Sequence, residues 1–138
     1  MLAIDPGTKR VGLAVSDESG LIAQPHGDEP AEPLETLARR LAGRARAVGA
    51  GAVVVGLPTR LDGTQGPEAK AARALAAQLR QAGLKVELMD ERLTSVAAER
   101  TLLETGMRRE RRKRMAHRVS AALLLQSYLD KARSGRRA

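Results

Sequence analysis

The sequence contains no cysteine, tryptophan or phenylalanine, and Tyr128 is its single aromatic residue. Without cysteine there is no disulfide framework, thiolate metal site, iron–sulfur cluster or cysteine nucleophile, a usage that suits a reducing compartment. Without aromatic side chains the chain cannot build the stacking platforms on which many single-strand binders hold unstacked bases. It also lacks any apolar run near the roughly 18 residues that span a bilayer. The N-terminal MLAIDPGTKR has neither the charged nor the apolar region of a signal peptide. These absences predict a cytoplasmic protein with no membrane partner.

What is present is enough length for one core, and a surplus of positive charge. A chain of 138 residues buries about two-thirds of its unfolded surface, which supports one domain without staples. Lys plus Arg number 24 against 16 Asp plus Glu, a net charge of +8. Each phosphate neutralised by such a side chain releases condensed counterions, so nucleic acid is the leading partner. With no stacking platform, the grip expected is on backbone phosphates rather than on bases.

Apolar periodicity predicts the elements. Strands are expected at LAID, at RVGLAVS and at LIAQ after the turn Asp17-Glu18-Ser19-Gly20, forming an antiparallel meander. Residues 25–33 read as a loop. Helical spacing follows at Leu34, Leu37, Ala38, Leu41, Ala45 and Val48, ended by Gly49 and Gly51. The continuous apolar run AVVVGLP reads as a central strand covered on both faces. A second helix is carried by Ala72, Leu75, Ala76 and Leu79, and LKVELMDE is the last strand. A third helix capped by Thr94 or Ser95 would stop at Gly106, and a final helix would cover Ala116 to Ala132. The class expected is α/β, with an antiparallel N-terminal meander joined to parallel strands in one mixed sheet and helices on both faces. A single domain would cover residues 1–133, and residues 134–138 would be a frayed basic tail.

Chemistry concentrates at strand ends. Asp5 closes the first strand before Pro6-Gly7, and Asp90 and Glu91 close the last. Ligands of open α/β sheets bind beyond the carboxyl ends of the strands, so these acids face the expected cleft. Hard oxygen ligands delivered there suit Mg²⁺ or Mn²⁺, although the same spacing fits a turn-capping Asp5 and a solvated Glu91. Alternation sends Asp90 to the face opposite Glu91. Gly56, Pro58, Gly63 and Gly66 are expected to shape a loop over the cleft, with Asp62 a turn residue. A serine hydrolase is disfavoured because no Gly-x-Ser-x-Gly is present, and an NTPase because no Gly-Lys-Ser/Thr follows either glycine-rich stretch.

The positive charge is also localised. In the run MRRERRKRMAHR, Arg108, Arg109, Arg111, Arg112, Lys113, Arg114 and Arg118 supply seven cations in eleven positions against the lone Glu110. Such a run repels itself unless an anion is present, which favours a phosphate-binding segment that Arg133, Arg136 and Arg137 would extend. Lys9 and Arg10, at the turn after Asp5, are further candidates for phosphate contact, with Thr8 and the backbone near Gly7 offering hydrogen bonds.

Four separated motifs, DPGTKRVGLAVSD (5–17), VVVGLP followed by DGTQGPEA (53–69), DERLTSVAAE (90–99) and VSAALLLQSYL (119–129), resemble the YqgF/RuvX family of pre-16S rRNA nucleases, also described as Holliday-junction resolvase-like. The resemblance runs in order over nearly the whole chain. It implies a ribonuclease H-like fold with a five-stranded mixed sheet, and a metal-dependent nuclease acting on structured nucleic acid. Processing of the pre-16S rRNA 5′ end, within ribosome biogenesis, is the implied activity. Resolution of branched DNA in repair or recombination, and a non-catalytic module binding RNA or ribosomal precursors, are the alternatives.

Carried over by position, Asp5 corresponds to the family's first catalytic acid and Glu91 to its second, both serving divalent metal. In two-metal sites, with ions about 3.5 to 4 Å apart, one ion activates water and the other stabilises the leaving oxygen, so no side-chain nucleophile is needed. This chain departs from the pattern at the third acid, where His117 stands in place of the usual Asp. A neutral imidazole is also a metal ligand, and its nitrogen would tilt preference from Mg²⁺ towards Mn²⁺. The other reading makes His117 a packed or phosphate-facing residue. A resolvase would act as a homodimer with two sites, whereas single-cut RNA processing needs only a monomer.

Overall fold

The computed structural model describes residues 1–7, 9–59, 62–91, 100, 103–106 and 108–137, with the backbone alone described at 113, 114 and 133–137. Among these residues five strands form one sheet: β1 (Leu2–Asp5), β2 (Arg10–Ser16), β3 (Ala23–Pro30), β4 (Ala52–Leu57) and β5 (Lys85–Asp90). Their spatial order is β3-β2-β1-β4-β5. β1 pairs antiparallel with β2 and parallel with β4, β2 pairs antiparallel with β3, and β4 pairs parallel with β5. The mixed sheet expected from the alternation of strand and helix patterns is therefore formed.

Each face of the sheet has its own residue sizes. Leu2, Ile4, Val11, Leu13, Val53 and Val55 point to one side, where they pack on α1 (Leu34–Ala47) and α2 (Pro67–Gln81) through Leu37, Leu41, Ala72, Leu75 and Leu79. The opposite face presents Ala3, Ala14 and Val54 to Ala121 and Leu125 of α3 (Arg109–Arg137). Large residues on the first face fill the volume under two helices. Small residues on the second let one helix lie close to the sheet. Burying each Leu or Val side chain fully contributes roughly 1.5 to 3 kcal/mol, which fixes the register of the layers. Pro67 starts α2 at a position where its missing N–H costs nothing, and Gly83, at a φ of 94°, ends the turn that follows.

The structure departs from the sequence expectations at two elements. The segment read as a loop from Pro25 to Pro33 is strand as far as Pro30. Its prolines are tolerated because β3 is an edge strand, and the pairing shifts register between Gly12 and Ala14. The final helix begins at Arg109 rather than Ala116, so the basic run forms its opening turns, and its backbone continues to Arg137, past the expected end at Ala132 and into the tail expected to fray from Ser134. Arg, Glu and Lys are good helix formers, and winding spreads their charges around the axis. Most of the helix expected after Thr94 or Ser95 lies outside the described residues, but Gly106 takes the positive φ of a helix stop, 71°. Among the described residues, no helix is long and apolar enough to cross a membrane.

Candidate active site

Cross-strand register sets up the site. Asp5 pairs with Gly12, and Gly12 pairs with Asp28, so the three form one row across β1, β2 and β3. Directly paired residues share a face of the sheet. This row lies on the face covered by α3, and at its centre Gly12 leaves a gap. A Cβ added there would collide with the carbonyl of His117 and crowd the Arg118 nitrogen at 2.8 Å. The backbone of α3 thus occupies the place of a side chain, and consecutive helix residues reach in opposite directions along the row. His117 Nδ1 lies 3.0 Å from Asp5 Oδ2, and Arg118 Nε donates to Asp28 Oδ2 at 3.3 Å.

Glu91 arrives from the other side. Its N–H donates to the Leu57 carbonyl at 3.3 Å, one step beyond the last residue of β5. Asp90 is exposed while Glu91 turns inward, as strand alternation requires. Gly56 makes room, because a Cβ on it would strike Glu91 Oε2 and come within 3.0 Å of Cδ. Gly56 therefore acts inside β4 as a cradle for the carboxylate, not in a loop over the cleft. Both acids are almost fully buried, Asp5 at 3% and Glu91 at 5% exposure.

The electrostatics follow from that burial. Desolvation, then a hydrogen bond with Asp5 and repulsion from Asp5 and Asp90, push the Glu91 carboxyl up to about 10. The burial and the neighbouring acid both disfavour the charged form of Glu91. The hydrogen bond to Asp5 raises the pKa of His117, against a lowering by burial, and Asp28 adds to the rise. On its other side the imidazole rests against Gly7, where a Cβ would approach Cε1 and Nε2 at 2.8 Å. Asp5 thus touches both Glu91 and His117. Among the described residues no three of His, Asp and Glu stand ready-made around a common cation position. The contacts instead converge in pairs on Asp5, through a hydrogen bond with the Glu91 carboxyl and one with the His117 imidazole.

The basic residues divide into two groups. Lys9, Arg108, Arg109 and Arg111 are exposed and Arg112 is half-buried, with Arg108 accepting the Arg112 N–H at the head of α3. Arg10 and Arg118 instead meet at Asp28. The side chains of Lys113 and Arg114, and all of Thr8, lie outside the described residues. Asp62 accepts from the Thr64 N–H and hydroxyl at 2.9 and 2.7 Å, as a turn residue does. Sequence reasoning missed Asp28, because it lay in a segment read as loop. Residues 25–30 carry no apolar alternation, only two prolines, a glycine and polar side chains, so no local signal marks them as a strand.

The profile of a family described as RuvX, Holliday junction resolvase, matches residues 1–131. The chain belongs to the RuvX family. A relative from Geobacillus kaustophilus is 41% identical over 143 residues, covering 96% of this chain and 98% of its own length. Another, from Symbiobacterium thermophilum, is 44% identical over 134 residues, covering 96% and 92%. Both carry the provisional name pre-16S rRNA nuclease. In fold, this RuvX chain resembles T. thermophilus RuvC in complex with a Holliday junction substrate (TM-score 0.56, 20% identity, 98% and 97% of the two chains). It also resembles the fowlpox virus resolvase in its junction complex (TM-score 0.55, 14% identity, 96% and 99%). The family resemblance read from the four motifs and the ribonuclease H-like fold are both borne out.

RuvX proteins are nucleases, hydrolases of nucleic-acid phosphodiester bonds that depend on divalent metal. The donors fit such an ion. Two buried carboxyl groups in contact are hard oxygen donors whose mutual repulsion a dication would offset, and the Gly56 cradle keeps the Glu91 carboxylate at the ends of β4 and β5.

Proposed function

We propose that this RuvX protein processes the 5′ end of pre-16S rRNA in the cytoplasm, hydrolysing a phosphodiester of structured RNA with Asp5, Glu91 and His117 as its metal-binding and catalytic residues. The observation that carries this reading is the buried Asp5–Glu91 carboxyl pair at the carboxyl ends of β1 and β5, with His117 Nδ1 3.0 Å from Asp5. The relatives' shared name supports RNA as substrate. Asp5 and Glu91 would hold the ion by oxygen and His117 by nitrogen, in place of the hydrogen bonds that now join them. The nitrogen favours Mn²⁺ over Mg²⁺. A bound dication supplies an activated water and stabilises the leaving oxygen.

The chain's own residues do the rest. Asp5 and Glu91 exclude bulk water by their burial and fix where the scissile phosphate is presented. The exposed cations Lys9, Arg108, Arg109 and Arg111, with the half-buried Arg112, would draw the phosphate backbone towards the site. A single cut needs one site, so a monomer suffices. Ribosomal precursor particles are the partner expected for such a substrate.

A cleavage assay with Mg²⁺, Mn²⁺ or EDTA tests this on an rRNA precursor, a four-way DNA junction and single-stranded DNA, comparing wild type with D5N and E91Q. Metal-dependent cutting of the precursor, lost in both variants, is the expected result. Preferential cutting of the junction would assign a resolvase activity instead, the reading favoured by the family's description. Binding without cleavage on every substrate would identify a non-catalytic module.

A further inference from the structure

Asp28 and Glu29 are neighbours on β3, yet each collects two arginines in a different way. Glu29 faces α1, where Arg40 and Arg44 bond to its two oxygens at 2.8 and 3.0 Å. Arg40 Nε donates to the Thr36 hydroxyl at 3.0 Å, and both guanidiniums bond to the backbone. Arg40 also donates to the carbonyls of Pro30 and Pro33, and Arg44 to that of Asp28. Donors used up in this way describe a strut between helix and edge strand.

Asp28 faces the other side. Arg10 from β2 donates to its Oδ1 at 2.7 Å, and Arg118 from α3 to its Oδ2 at 3.3 Å. Among the described residues each guanidinium makes that single hydrogen bond. A guanidinium carries five N–H donors, so most of them stay available on both. The carboxylate is buried, with its side chain 10% exposed, while the Arg10 and Arg118 side chains are 47% and 39% exposed. One negative charge is shared by two positive ones, which leaves a surplus of +1 at a fixed place on the surface.

That place is set by the Asp5–Gly12–Asp28 row. Two strand spacings separate Asp28 from Asp5, about 10 Å, and His117 and Arg118 span the interval as consecutive residues. A strand whose scissile phosphate sits at the carboxyl pair would bring a neighbouring phosphate to this point. Planar forks suit phosphate oxygens through paired N–H···O bonds.

We propose that Asp28 is a positioning residue that holds Arg10 and Arg118 side by side as a subsite for a backbone phosphate flanking the scissile bond. The inference rests on the nuclease reading for its role in the reaction, but the binding subsite can be tested without cleavage.

The test measures binding of a fluorescein-labelled four-way DNA junction and a labelled RNA hairpin by anisotropy, in EDTA, across a salt series. Wild type is compared with R10Q, R118Q, D28N and D28E. KM and kcat on the RNA are measured separately with Mn²⁺. Arg10 is half-exposed, so R10Q keeps the test open even if another variant folds poorly. R10Q and R118Q are each expected to weaken binding about tenfold, the scale of a charge-assisted hydrogen bond. Each should also make the log–log salt slope on the junction's duplex arms shallower by about 0.9.

Asp28 gives the discriminating sign. D28N removes a negative charge, and simple electrostatics would tighten binding. Positioning instead requires D28N to weaken it several-fold and to raise KM with kcat little changed, and requires D28E to restore part of the loss. Tighter or unchanged binding by D28N would overturn the proposal, as would wild-type affinity and slope in both arginine variants. Weakened binding by these variants in a protein that cuts nothing would keep the subsite and reject the nuclease reading.

Discussion

Gly12 has no side chain at the point where the His117 backbone crosses β2, and a methyl group there would collide with the His117 carbonyl. The placement of the imidazole against Asp5 therefore depends on a residue that contributes no chemistry. Gly12→Ala must push α3 away from the sheet. It is expected to cost about 1 to 3 kcal/mol, as overpacking does, and to lower nuclease activity more than stability alone explains. Thermal unfolding alongside cleavage at a temperature where the variant is fully folded measures both. Full activity in a folded variant would show that His117 need not sit where it does.

Divalent metal should stabilise the protein through the acid pair. A ligand that binds only the folded state raises stability by RT ln(1 + [L]/Kd), about 2.7 kcal/mol at a hundredfold excess over Kd. Mn²⁺ is expected to raise the Tm of wild type, and D5N and E91Q should abolish the rise. H117A should reduce it and narrow the difference between Mn²⁺ and Mg²⁺. An identical shift in H117A would remove His117 from the ligand set.

Leu125 is fully buried between α3 and Ala3, Ala14 and Val54. Leu125→Ala is expected to cost about 2 to 5 kcal/mol. Because the same helix carries His117 and Arg118, urea unfolding and substrate binding should weaken together. Leu79→Ala, on the opposite face under α2, should reduce stability comparably with little effect on binding in the folded fraction.

Acid should weaken the β3–α1 strut. Burial alone would raise the Glu29 carboxyl, but the hydrogen bonds and charges of Arg40 and Arg44 hold it below its ordinary 4.5. A depressed folded-state pKa stabilises above the unfolded value and is lost as pH falls through the folded one. Wild type should therefore lose stability progressively below about pH 4.5, and Glu29→Gln should flatten that part of the curve. Chemical denaturation at pH 3, 4, 5 and 7 would reveal it. Parallel curves for the two proteins would mean that Glu29 contributes nothing to acid sensitivity.

The exposed cations at the head of α3 should affect affinity without affecting the fold. If the segment contacts five phosphates, log affinity for duplex DNA falls against log salt with a slope of about −4.5. Changing Arg108, Arg109 and Arg111 together to Gln should make the slope shallower by nearly 3 and leave Tm within error. A nearly flat salt dependence in wild type would dismiss the segment as a phosphate track.

The sequence by itself determined the layers and the acids. Alternation in β1 and β2, the unbroken apolar run of β4 and the helical spacing of α1 and α2 are local patterns, governed by burial of one or both faces. Asp5 and Glu91 were legible because each follows a strand directly, and His117 because the motif around it places it. Turn-forming residues at 25–30 signal a loop locally, while an edge position and a register shift accommodate them in a strand. The basic run lacks any apolar stripe that would mark it as helix, yet it winds into the opening turns of α3, where its charges spread around the axis. Only the tertiary structure decided which groups meet. Gly12, Gly56 and Asp28 matter through strand register and the close approach of α3, contacts between residues as distant in sequence as Asp28 and Arg118. Those depend on how two strands align and how far a helix stands from a sheet, quantities set by packing of the whole core and not by any local pattern.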